Sequence, residues 1–358
     1  MSRAPHTFER VHHGPGASPA DTVTERGITL GAWTVTARHG SIANAAELDR
    51  LGADLGIPPP EMPFPRNALT LTHASGFVYR FDAESALRCV GGVCDAYRLE
   101  GVDCAAHCRA LATGVSLGDA RAQRAPGGVI KVAYASEWGS SRDVRGAIER
   151  PGGAGASNFS TDALPSTISS GREYDWTYSS TWAGSATVRG APCTAFAPGT
   201  DPARDRIPVE RLGPSDAPIL FYDELVLYED ELGDNGSSML TVKVRVMPEE
   251  LLVLQRFFLR VDNVVFRVFD TRIYVSFRAA DADAGPHARL VRECRGAEAP
   301  YSALRARLPA HRPDDLLPLT DVNWVAAQLQ ALHPRADAPG APLGWEGVGA
   351  YVDVAHVS

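Results

Sequence analysis

The stretch Met239-Leu-Thr-Val-Lys-Val-Arg-Val-Met247 alternates apolar and polar side chains with a period of two. Leu240, Val242, Val244 and Val246 fall on one face of an extended chain, and Thr241, Lys243 and Arg245 fall on the other. A helix cannot bury that set together, so the stretch is predicted to be a strand with one dry and one wet face. Ile219 to Tyr228 is its predicted hairpin partner, joined through the turn-rich Gly233-Asp-Asn-Gly236. Phe257 to Val261 and Val264 to Phe269 flank Asp262-Asn263, a second tight hairpin, and Ile273 to Phe277 follows as a further strand.

Helices are fewer and short. Asn44 and Glu47 have the spacing of a capping box, and Leu48, Leu51 and Leu55 then repeat at helical intervals until Gly56 and Pro58. Asp82 is positioned to cap a helix through Leu87, and Asp321 one that carries Val322, Val325, Leu329 and Leu332. The expected class is α+β: a single β-rich domain, mainly antiparallel sheets with a few peripheral helices.

Composition sets the expected boundaries. Residues 1–26 and 334–358 are rich in polar, Pro and Gly positions and are expected to be disordered tails around a domain spanning 27–333. Two Ala- and Gly-rich stretches, 91–128 and 143–171, read as loop insertions. The formal charge of −8 and pI near 5.7 argue against a nucleic-acid partner, which needs a basic footprint. No apolar run is long enough for a membrane-spanning helix, so no membrane association is expected. The first residues lack the apolar segment of a secretory signal, and the six cysteines are expected as reduced thiols of a cytoplasmic or nuclear protein. No coiled-coil repeat appears, and a monomer is expected.

The residues for catalysis are sparse. None of the ten histidines lies in the best-patterned blocks, Val129–Ser141, Arg172–Arg189 and Ser215–Phe277. A His-activated nucleophile needs His on a rigid frame beside Ser or Cys, and that frame has none to offer. Phosphate-cradling, nucleophile-elbow and zinc-protease motifs are absent. Cys94, Cys104, His107 and Cys108 could ligate zinc, but their spacing is loose, and no cofactor or metal is expected. Asp223, Glu224, Glu229, Asp230, Glu231 and Asp234 form an acidic cluster without the alternating oxygen ligands of a calcium loop. An enzyme built on carboxylates around Asp223, Glu224 and Asp230 is one alternative; a solvated or partner-facing acidic surface is another. Arg245, Arg256, Arg260, Arg267 and Arg272 are interleaved with apolar runs. They either pair with the acidic hairpin or line a groove for an acidic or carboxylate-ending peptide. A scaffold that docks partners through the two insertions is a third reading.

The segments Ile219–Gly236, Met239–Pro248, Arg256–Asp262 and Asp270–Tyr274 resemble the signature of the Tip-forty-one-like family, called TIPRL in animals. Earlier pieces agree in order: Pro60-Glu-Met62, Ala86–Val90, Lys131–Ala135 with Glu137-Trp138, Tyr174–Tyr178 and Ile207–Leu212. The two suspected insertions fall between these blocks. The resemblance implies a β-rich fold with a surface cleft and a non-catalytic regulator in TOR signalling. It implies as partners the catalytic subunits of type 2A, 4 and 6-like Ser/Thr phosphatases, or an alpha-four/Tap-type adaptor of them. In the animal members the cleft takes the phosphatase's C-terminal tail. Carried over by position, the implied contact residues are Ile207, Val268 and Asp270, with Ser85 where the family commonly has Asp. Val268 is smaller than the Met often found there. Arg272 is added on chemical grounds, as the nearest Arg to Asp270 and a possible carboxylate clamp.

Overall fold

The computed structural model describes residues 5–13, 22–55, 59–90, 182–192, 196–201, 204–212, 217–232, 236–263, 265–277, 288–332 and 348–357. The suspected insertions at 91–128 and 143–171 and the cysteine and histidine candidates within 94–108 lie outside these residues.

Among the described residues the strands form two antiparallel sheets. The first has seven strands: β1 (His6–His13), β2 (Thr22–Leu30), β3 (Trp33–His39), β5 (Ala68–His73), β6 (Phe77–Asp82), β7 (Ser185–Val188) and β8 (Ala191–Pro192), in that order. The second has eight, in the order β4 (Met62–Pro63), β10 (Phe221–Asp230), β11 (Gly236–Val246), β12 (Glu250–Val261), β13 (Val265–Ser276), β14 (Ala288–Pro300), β15 (Val348–Val357) and β9 (Phe196–Pro198). Among the described residues the α-helices are α1 (Ala45–Leu55), α2 (Ala83–Val90), α3 (Val209–Leu212), α4 (Tyr301–Arg305) and α5 (Val322–Leu332). The α+β class with mainly antiparallel sheets is as expected.

The two sheets face one another across one core. Leu69, Leu71, Tyr79 and Phe81 of the first meet Leu225, Val244, Phe257, Leu259, Phe269, Ile273 and Val275 of the second. The alternation read at 239–247 is the cause: Leu240, Val242, Val244 and Val246 are buried, and Lys243 and Arg245 point away from the core. The predicted β10–β11 and β12–β13 hairpins both form, the second around Asn263 in the left-handed region at φ 62°. The helix starts also agree. Asn44 and Glu47 cap α1 reciprocally at 3.0 Å, and the Asp321 carboxylate accepts from the backbone of Asn323 and Trp324.

Both termini depart from the expected tails. His6–His13 is β1, paired along its length with β2. Its side chains are almost all exposed, so it carries no burial pattern to read; the backbone ladder holds it. At the other end, Val348–Val357 is β15, wedged between β14 and β9. Val354, Ala355 and Val357 are buried there. The domain therefore extends beyond 27–333 at both ends.

The fastening of β15 is an ion pair invisible to local pattern. Arg292 on β14 donates to Asp353 at 2.6 Å, and both side chains are inaccessible, at 0% and 1% exposure. The guanidinium also lies 4.1 Å from the centroid of the Phe196 ring and donates to the Tyr79 hydroxyl of the opposite sheet at 3.3 Å. Burial pushes the Tyr79 hydroxyl up to about 12, with Arg292 pulling the other way. Tyr79 thus stays protonated and donates onward to the Ala183 carbonyl.

Removing one partner of a buried pair strands the other charge, which costs about 3–5 kcal/mol. Asp353→Ala is expected to lower the unfolding free energy by that amount, and truncation before residue 348 by at least as much, in chemical denaturation. Deletion of residues 1–13 should cost far less, because β1 buries so little. A second prediction concerns Gly184, whose φ is +84°. A Cβ there would lie 2.4 Å from Tyr79 and 2.7 Å from Phe81. Gly184→Ala should therefore cost about 1–3 kcal/mol in the same assay.

Candidate functional site

On β12 and β13 the odd and even positions face opposite ways. Phe257, Leu259, Phe269 and Ile273 point into the core, so Leu254, Arg256, Val268, Asp270, Arg272 and Tyr274 share the outer face of the large sheet. The register sets Arg256 opposite Asp270 and Phe258 opposite Val268. On β14, Arg295 stands opposite Asp270 and Ala297 opposite Val268.

Arg256 grips Asp270 with a two-pronged fork, Nε to Oδ1 at 2.6 Å and Nη2 to Oδ2 at 2.7 Å. Its remaining Nη1 donates to Asn323 Oδ1 on α5 at 3.0 Å, so the same guanidinium ties helix to sheet. Burial alone would lower the Arg256 pKa; the Asp270 hydrogen bonds and charge outweigh it and raise it. Arg272 approaches Asp270 Oδ2 at 3.4 Å, near the outer limit for a hydrogen bond.

Helix α5 closes the site from above. Val325 and Leu329 bury against Phe258, Phe266, Val268, Ala297 and Leu304. Asn323, Ala326, Ala327 and Gln330 follow one another at helical intervals on the neighbouring face. Together with Arg256, Val268, Asp270, Arg272, Arg295 and Ala297 they line a recess of about 180 Å³. Small-molecule sites usually run to about 300–1,000 Å³. This recess therefore suits one or two side chains of an incoming polypeptide. Two alanines in its helical wall leave that room, and Arg256, Arg272 and Arg295 gather beside Asp270 on its floor.

Val268, Asp270 and Arg272 are thus brought together as the sequence suggested. Ile207 is elsewhere. It lies on the same outer face but packs on Tyr274 and Val291 at the far end of β13, about 13 Å beyond Asp270 by strand rise. It is only 6% exposed. The segment that carries it is pinned by Glu293, which accepts from the Ile207 backbone and from Arg206, both at 2.8 Å. Ser85 lies in helix α2, which follows β6 of the other sheet. It sits in the first turn of α2, where its backbone and hydroxyl both donate to Asp82, at 2.9 and 3.0 Å. Neither residue lines the recess.

Sequence reasoning missed Arg295, the role of Arg256, and the contribution of α5. The alternation Val291, Glu293, Arg295, Ala297 was present as a signal for β14, but the charges obscured the strand. Of the other arginines singled out, Arg260 pairs with Asp262 in its own hairpin and Arg267 with Glu298 on β14. On the outer face of the acidic hairpin, Glu224 pairs with Lys243 at 2.8 Å and accepts from the Tyr222 hydroxyl at 3.0 Å. The acidic cluster itself disperses. Asp223 bonds His39 and Arg26 from the first sheet, Glu224 faces the other way, and Asp230 accepts from the backbone of Glu61 and Leu232. No carboxylate pair suited to acid–base catalysis forms from these three.

Likeness to known proteins bears on identity. The chain is 31% identical over 317 residues to the type 2A phosphatase activator TIP41 of Saccharomyces cerevisiae, covering 87% of this chain and 73% of that protein. It is 32% identical over 252 residues to the TIP41-like protein of Homo sapiens, covering 70% and 71% respectively. A TIP41-like protein of Dictyostelium discoideum is 38% identical over 161 residues, 44% of this chain and 54% of the relative. The profile of the TIP41-like family matches residues 62–305, which include β10 to β14 and every strand residue of the recess. The chain belongs to the TIP41-like family.

Proposed function

We propose that this protein is a non-catalytic regulator of type 2A-like Ser/Thr phosphatases, and that its recess receives an extended segment of the phosphatase catalytic subunit. The observation that carries the reading is the grouping of Arg256, Arg272 and Arg295 around Asp270 beside the apolar Val268 and Ala297, in a space sized for side chains. The fork between Arg256 and Asp270 is already satisfied, so it serves as a fixed wall. Arg272, loosely paired at 3.4 Å, then offers positive charge to an acidic side chain or a chain end, while Val268 and the helix alanines take an apolar neighbour. The names of the yeast relatives as phosphatase activators support the phosphatase as partner. In this reading the partners are type 2A, 4 and 6-like catalytic subunits, the segment is their C-terminal tail, and the protein acts as a monomer in TOR signalling in the cytoplasm or nucleus.

The test is a calorimetric titration of the full chain with a type 2A catalytic subunit, with and without its C-terminal tail. Tail-dependent binding is expected. Binding that persists without the tail would remove the recess from the interaction, and absence of binding to either form would direct the search to the alpha-four-type adaptor.

Two variants sharpen the test. Arg272 is partly exposed and only loosely paired, so Arg272→Ala should weaken binding by about tenfold or more with little change in stability. Ala327→Leu should have the same effect by filling the recess. Asp270→Ala should behave differently. It leaves Arg256 stranded at 11% exposure and should cost roughly 3 kcal/mol of stability before binding is considered. Arg272 and Ala327 variants that bind as the unaltered chain does would overturn the site.

A further inference from the structure

The turn that leads into α5 presents two leucines to solvent. Leu316 is 43% exposed and Leu317 74%. The turn is not slack. Pro313 and Pro318 bracket it and fix their own backbone angles. Asp315 Oδ1 accepts from the Leu317 backbone at 3.1 Å, and the Thr320 hydroxyl donates to the Leu317 carbonyl at 2.8 Å. The Leu319 amide donates to the Leu316 carbonyl at 2.9 Å. Leu319 itself is buried in the cluster that contains Phe258, Val268 and Ala297, and it anchors the turn there. Leu316 and Leu317 are thus held outward on a fixed frame, so docking them costs little further ordering.

The recess is the matching socket. It has room for one or two side chains, with Val268, Ala297, Ala326 and Ala327 as apolar lining and Arg272 beside them. Arg272 is held only by its 3.4 Å contact to Asp270. Asp314, just before the two leucines, is exposed and makes no ion pair with a described residue. Leucines and carboxylate on the turn therefore complement alanines, valine and guanidinium in the recess. Neither leucine lines the recess of its own chain. The turn runs directly into α5, whose Asn323 is a lining residue, so knob and socket adjoin. Adjoining complementary features allow one two-fold axis to seat both knobs of a pair at once.

We infer that the recess takes the Leu316-Leu317 turn of a second copy of this chain, and that two copies exchange turns in an isologous pair. The inference goes beyond the proposed function: it uses the same recess but not the phosphatase. One recess cannot hold a turn and a phosphatase segment together, so self-association shields it, and the phosphatase-bound form is the monomer. Two leucines in each of two recesses make a small contact, so the pair is weak and forms as concentration rises.

Sedimentation velocity of the full chain over a range of concentration is expected to show a reversible monomer–dimer equilibrium. Leu317→Asp, on the knob, should weaken dimerisation by about tenfold or more. Ala327→Leu fills the socket and should weaken it likewise. Thermal unfolding checks the fold, and Leu316→Ser carries the knob test if Leu317→Asp is unstable. A chain that stays monomeric throughout overturns the inference, as does a dimer that either variant leaves intact. A synthetic peptide of the type 2A catalytic subunit's C-terminal tail separates this inference from the proposed function. Where the peptide binds by calorimetry, it should dissociate the dimer, and Leu317→Asp should bind it at least as tightly as the unaltered chain. A dimer that persists with the peptide bound overturns the inference. A peptide that binds neither chain refutes the tail reading alone, and sedimentation still decides the pairing.

Discussion

The register of β12 against β13 governs the molecule. Side chains alternate between faces, so pairing Arg256 with Asp270 also sends Phe257, Leu259, Phe269 and Ile273 into the core. A slip by one residue would exchange the two sets and bury the guanidiniums against the first sheet. The bidentate fork satisfies both carboxylate oxygens within the sheet, and the third donor reaches Asn323 on α5. The same arginine thus specifies the strand pairing and positions the helix over the recess. Its location in a TIP41-like chain couples the integrity of the sheet to the shape of the surface offered to a partner.

A second polar fastening sits between the layers. Arg292, Asp353, Tyr79 and Phe196 come from four strands spread over both sheets. Nearby, Gln255 donates to the Trp182 carbonyl at 2.6 Å, a further polar link across the core. Such groups stabilise less than well-packed apolar ones of equal volume. Their geometry, however, admits only one alignment of the sheets, whereas apolar surfaces would tolerate several. Face-to-face sheets need such a constraint, because apolar contact is not directional.

Legibility followed locality. The capping box at Asn44 and Glu47, the alternation at 239–247 and the Asp262-Asn263 turn each involve residues a few positions apart, and each is present in the structure. The two terminal strands were read as tails because their ordering comes from afar. β1 is held by a ladder with almost no burial, and β15 by an arginine 61 residues away. The recess was half legible for the same reason. Val268, Asp270 and Arg272 lie along one strand at intervals of two, so any strand assignment groups them. Arg295 and the alanines of α5 join only through the β13–β14 register and helix packing. Ile207 is buried rather than presented, which a position-by-position likeness could not reveal.

The pairing of β15 has a consequence for how the molecule assembles. β14 is flanked on one side by β13 and on the other by the last ten described residues, and β9, from residues 196–198, can join the sheet only after β15 is in place. A nascent chain emerging in order therefore carries an unfinished sheet edge, with Arg292 lacking its counter-ion, until residues 348–357 have been made. Contacts that span so much sequence slow folding, because the loop must close before the pairing repays it. Completion of the large sheet thus waits on distant sequence, and chains cut short before residue 348 retain an open strand edge of the kind that recruits other chains.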